Sequence, residues 1–133
     1  MELLELYRLA ERQGIAVECF DLPACKCVSL KTQNGSCYIG IDPFALLSVS
    51  DEKVRLAHEM GHCNSGAFYS RSASADVRSR CEARANGWAI KKLIPKNELI
   101  SCYKSGICDN AELADHFGVT EDFLQMALEY YNK

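Results

Sequence analysis

The stretch LAHEMGHCNSG, Leu56 to Gly66, constrains this chain more than any other. His58 and His62 stand four residues apart, and Val54, Ala57 and Gly61 fall on the same side of a 3.6-residue helix. The two imidazoles therefore rise from the buried face of a helix, where polar rings need partners. Ser50 can cap this helix, and Asp51 and Glu52 suit the positive end of its dipole, so it is expected to run from there to about Cys63. A fold that contains it must bring a second element against the histidine face.

The remaining pattern supplies candidates. Met1 to Gln13 reads as an amphipathic helix with Leu3, Leu6, Leu9 and Ala10 on one face, ended by Gly14. Ile15 to Phe20 suits a short strand. Asn34-Gly35 predicts a two-residue hairpin turn, because both central positions of such a turn need positive φ. That turn pairs Thr32 with Cys37, Leu30 with Ile39 and Val28 with Ile41, all on one mostly apolar face. Further helices are expected from Val77 to Ile94, stopping before Pro95, from Asn110 to Phe117, and from Glu121 to Tyr131. The expected class is α+β: a small antiparallel sheet, then a helical unit carrying the histidines, then a helical pair. With no linker or repeat, residues 1–133 read as one domain.

Charge and cysteine content exclude several functions. A net charge of -3 argues against a general affinity for nucleic acid. The start, MELLELYRLAER, is broken by Glu2, Glu5, Arg8 and Glu11, so no export signal is expected, and no apolar run is long enough for a membrane span. A cytoplasmic protein is the expectation, and its eight cysteines then read as reduced thiols. None of them forms a CxxC pair of the kind that holds structural zinc.

Two histidines at this spacing can reach one ion, and Glu59, about 100° round the helix from His58, flanks it. This is the HExxH arrangement, in which the glutamate acts as general base beside zinc. A third ligand is available in Glu82, twenty residues beyond His62 on the next predicted helix. Two histidines and a glutamate form a known catalytic zinc set with an open fourth position. Asn86 shares a face with Glu82 and can hydrogen-bond a ligand histidine. His116, in the distant acidic C-terminal helices, is a poor competitor. Tyr69, Arg71 and Tyr103 are possible donors to an oxyanion, although each reads more simply as a surface or packing residue.

From about Tyr38 to Tyr131 the chain resembles the ImmA/IrrE-type metallopeptidases of bacteria, phages and mobile elements. The resemblance rests on YIGIDP, on LAHEMGH, on Glu82, Ala85, Asn86, Trp88, Ala89 and Pro95, and on ELADHFGVTEDFLQMAL. It implies a zinc endopeptidase with His58, His62 and Glu82 as ligands and Glu59 as the base. It also implies a protein substrate, a helix-turn-helix transcriptional repressor whose cleavage relieves repression. Met60, Gly87 and Trp88 depart from the usual pattern, and Cys63-Asn64-Ser65 lacks a histidine often found after the motif.

Two rival readings stand beside it. The C-terminal block scans as a DNA-binding helix-turn-helix, but from Asp109 onward there are six acidic residues and one basic, Lys133, which a phosphate backbone would repel. Alternatively, a non-catalytic zinc protein could bind a repressor and displace it from DNA without cutting it.

Overall fold

The computed structural model describes residues 1–133. The elements in chain order are α1 (Leu3–Arg12), β1 (Ala16–Cys19), β2 (Cys27–Lys31), β3 (Cys37–Ile41), α2 (Val49–Ser65), α3 (Ala75–Leu93), α4 (Lys96–Lys104), α5 (Asn110–Phe117) and α6 (Glu121–Tyr131). The class is α+β, as expected, with sheet early and helices late.

The sheet is mixed, not antiparallel throughout. Its order is β1-β3-β2, with β2 antiparallel to β3 and β1 parallel to β3. The hairpin forms, one residue out of the predicted register. Lys31 faces Cys37, Ser29 faces Ile39 and Cys27 faces Ile41. The cause lies in the turn, where only Gly35 takes a positive φ, at 86°. The Thr32 hydroxyl meets the Asn34 side chain, and both accept from the Ser36 N–H at 3.2 Å. This holds Asn34 out of the left-handed region and gives a three-residue loop closed by Thr32 N–H to the Ser36 carbonyl. A one-residue slip exchanges the faces of β2. Cys27 and Ser29 now point inward, while Leu30 stands 59% exposed.

Against the inner face, Ile39 and Ile41 pack with Leu6 and Ala10 of α1 and Leu56 and Met60 of α2 in one core. That core continues through Ile90 and Leu93 of α3 to Leu113, Phe117, Phe123 and Leu124 of the C-terminal pair. The cap of α2 is Ser48 and not Ser50: its Oγ accepts from the Asp51 N–H at 3.0 Å. The Asp51 carboxylate in turn accepts from the Leu47 N–H and from Arg55 Nε, which fixes the loop entering the helix.

Helix α4 has no counterpart among the expected helices. Only Leu99 and Cys102 of its residues are buried, too few for a periodic signal in a nine-residue helix. Lys53 is buried on α2 and donates through Nζ to the carbonyls of Phe117, at 2.6 Å, and Met1, at 2.8 Å. A cation at the carbonyl end of α5 complements the helix dipole and ties α2 to both ends of the fold. Gly87, unusual in a helix interior, lies under the ring of Tyr130, where a Cβ would come within 3.3 Å.

The expectation of reduced cysteines throughout is corrected at one pair. Cys37, opening β3, and Cys63, near the end of α2, are joined as a disulfide with Cα atoms 6.0 Å apart. Packing of the sheet on α2 brings them within bridging range. The other six are free thiols. Of these, Cys27 has its thiol pushed up to about 12, first by burial and then by the charge of Glu59, with Arg55 opposing. Since the thiolate is the nucleophile, iodoacetamide at pH 8 is expected to label exposed Cys25 and Cys108 and to spare Cys27 until the protein unfolds. Peptide mass mapping checks this, and labelling of Cys27 at the rate of Cys25 in folded protein would contradict it.

No helix is long and apolar enough to cross a membrane.

Candidate metal centre

The site exists because α2 and α3 cross very closely. Gly61 is buried at the crossing, and a Cβ built on it would lie 2.3 Å from the Ala85 carbonyl oxygen. Only glycine permits that approach. On α3, Glu82 lies about one turn before Ala85 and Asn86 immediately after it, both facing the histidines of α2.

The structure brings the expected residues together. Glu82 Oε2 lies 2.8 Å from His58 Nε2 and 3.1 Å from His62 Nε2, and the two Nε2 atoms are 3.2 Å apart. His58, His62 and Glu82 thus form a group that could hold a metal ion. The Asn86 Oδ1 lies 2.7 Å from His58 Nδ1. His62 Nδ1 lies 2.6 Å from the backbone oxygen of Ala67. A carbonyl can only accept, so in the neutral ring Nδ1 of His62 carries the proton and Nε2 presents a lone pair. The Asn86 oxygen sets the same tautomer on His58.

Two imidazole lone pairs and a carboxylate oxygen therefore converge on one point. Three acceptors at this separation repel one another unless a cation lies among them. Ligand atoms placed tetrahedrally at zinc bond lengths would be about 3.3 Å apart, close to the observed triangle. The nitrogen and oxygen donors are also the ones zinc accepts. The residues present fit a metal of this kind.

Burial opposes the charge of Glu82, but the Tyr69 hydroxyl and, in their protonated form, the two imidazoles outweigh it and hold the carboxyl below its usual range. Tyr69 donates to Glu82 Oε1 at 2.7 Å, and that hydrogen bond, helped by burial, raises its phenol. Glu59 points elsewhere. It is 9% exposed and lines, beside His58 and Asn86, an open cleft of about 690 Å³. Cys25 and Lys26, just before β2, and Cys27, which opens it, line the cleft, as do Phe123 and Met126 of α6.

His116 takes no part: it sits exposed on α5 with its ring edge-on to Phe117. Of the three side chains considered for an oxyanion, only Tyr69 touches the group, through Glu82. The Ala67 carbonyl had no sequence signal, since every residue has a carbonyl and only the fold selects one.

Two histidines and a glutamate that could hold a metal thus lie on crossed helices beside a cleft whose lining includes Glu59. Residues 10–129 match the family model described as the IrrE N-terminal-like domain, a metallopeptidase family, and the chain belongs to that family. No curated protein and no solved structure matches the chain.

Proposed function

We propose that this protein is a zinc-dependent endopeptidase in which His58, His62 and Glu82 hold the metal and Glu59 is the general base. The observation that carries the reading is the convergence of two Nε2 lone pairs and one carboxylate oxygen within 3.2 Å, with both histidine tautomers set from behind. When bound there, zinc would supply Lewis acidity toward a water and a substrate carbonyl.

The chain's own groups do the rest. Asn86 and the Ala67 carbonyl keep the imidazoles in the tautomer that presents Nε2. Glu59 accepts a proton from the attacking water and returns it to the leaving amine nitrogen. The free edge of β2 orients the substrate. Thr32 and Ser36, and Lys26 and Asp42, are hydrogen-bonded positions of the β2–β3 ladder. By alternation, Cys27, Ser29 and Lys31 turn their backbone groups to the edge that no strand covers. Cys27 also lines the cleft, so an extended peptide adding to this edge runs toward Glu59.

The substrate class we propose is a helix-turn-helix transcriptional repressor, supported by the family resemblance. DNA itself has no place in this reading, because Asp109, Glu112, Asp115, Glu121, Asp122 and Glu129 all lie exposed on the C-terminal pair.

Native mass spectrometry of protein purified without chelator or histidine tag tests the metal. About one zinc per chain is expected, lost on Glu82→Ala with the fold retained by circular dichroism. A folded wild-type chain that refuses added zinc would sink the reading.

A further inference from the structure

We propose that Tyr69 is a positioning residue that restricts Glu82 to a single metal bond; this rests on the metal reading above. The two oxygens of Glu82 are divided between two tasks. Oε2 faces both imidazoles, at 2.8 and 3.1 Å, while Oε1 accepts from the Tyr69 hydroxyl at 2.7 Å. A carboxylate with both oxygens free can bind an ion through one or both. With Oε1 engaged, only Oε2 is available, and the remaining coordination position stays open for water and substrate.

Glu82 needs such a restraint because it is the most exposed of the three ligands. Its side chain is 37% accessible, against 26% for His58 and 7% for His62. A long, half-exposed side chain samples several rotamers unless something holds it. Tyr69 is itself held. Its ring lies 6.5 Å from that of His62, and the Arg78 guanidinium stands over it at 5.9 Å from the centroid. The segment leading into it is anchored twice: the Ala67 carbonyl accepts from His62 Nδ1, and the Phe68 carbonyl accepts from the Cys81 thiol.

One short segment therefore positions two of the three ligands. Gly66 ends α2 in the left-handed conformation, at φ 69°, and turns the chain back across the site. Ala67 then orients His62 through its backbone, and Tyr69 orients Glu82 through its side chain. The next helix, α3, brings Glu82 to meet them.

The test is Tyr69→Phe in the full chain, with Tyr103→Phe as a control at an exposed tyrosine on α4. Phenylalanine keeps the ring against His62 and removes only the hydroxyl. Zinc affinity is measured by chelator competition, and the site is loaded with cobalt(II) as a spectroscopic probe. Loss of a group that orients a ligand weakens metal binding by roughly 10–100-fold. The cobalt visible bands of Tyr69→Phe are also expected to weaken, as a four-coordinate site gains the second carboxylate oxygen. Tyr103→Phe should match wild type in both readouts. Unchanged affinity and spectrum in Tyr69→Phe would overturn the proposal while leaving the metal site intact. Unchanged affinity and spectrum with impaired peptide cleavage would also overturn it, by making Tyr69 a group that acts on substrate. A wild-type chain that binds neither zinc nor cobalt would instead remove the metal reading and this inference together.

Discussion

Alanine in place of Gly61 is expected to destabilise the protein by about 1–3 kcal/mol, the usual cost of overpacking a buried contact, and to weaken zinc binding in the same variant. The added Cβ would sit 2.3 Å from the Ala85 carbonyl oxygen. Carbon and oxygen in van der Waals contact need more than 3 Å, and a helical backbone carbonyl cannot swing aside as a side-chain tip can. The helices α2 and α3 must therefore part. Helix propensity acts in the opposite direction, since alanine favours a helix interior by about 1 kcal/mol over glycine. The clash is the larger effect because it strains the crossing on which both helices pack. His58 and His62 ride on one helix and Glu82 on the other, so the same parting pulls the ligand triangle open. Urea denaturation and zinc competition on Gly61→Ala read the two consequences separately. A variant as stable as wild type, with unchanged zinc affinity, would mean that the crossing has room for the added methyl and does not set the ligand positions.

The legible parts of this fold were those written in periodicity. The helix of His58 and His62 shows its buried face in Val54, Ala57 and Gly61, and α5 and α6 show theirs around the Gly118 turn. Their positions agree with expectation to within a few residues. Details that depend on competition between similar groups were less legible. Ser48 and Ser50 both have acidic residues following them, and only the geometry of the Leu47 loop selects Ser48 as cap. The Asn34-Gly35 pair announces a hairpin, but the Thr32 hydroxyl decides between a two- and a three-residue loop, and that choice moves every side chain of β2 to the other face. The parallel pairing of β1 with β3 is a non-local contact with no local signature.

The site follows the same rule. His58 and His62 are fixed by one helix and are visible at once. Glu82 is visible only when a second helix is imagined against the first, and Gly61 is the residue that permits it. The sequence offers Tyr69 only as a possible oxyanion donor that reads more simply as a surface residue; its bond to Glu82 has no signature, because the turn that carries it has no repeating pattern. The Cys37–Cys63 bridge was hidden for a related reason: the two cysteines are 26 residues apart and meet only through the packing of β3 on α2.

Changing Glu59 to Gln is expected to lower peptide cleavage by about 10²- to 10⁴-fold, the usual contribution of a positioned acid–base group, while leaving zinc content and stability unchanged. Glu59 neighbours His58 in sequence but points about 100° away round the helix, so it lines the cleft without joining the ligand triangle. Glutamine preserves its size and its ability to hydrogen-bond but cannot accept a proton from water at neutral pH. The measurement is made with a candidate helix-turn-helix repressor: cleavage by mass spectrometry, zinc by native mass spectrometry, and repression by a reporter in cells. The peptidase reading requires intact repressor and full zinc in Glu59→Gln, with repression maintained. If the variant relieves repression as well as wild type while cutting nothing, binding alone displaces the repressor. The cleft beside His58, His62 and Glu82 would then be a docking surface, with Glu59 a bystander on its wall.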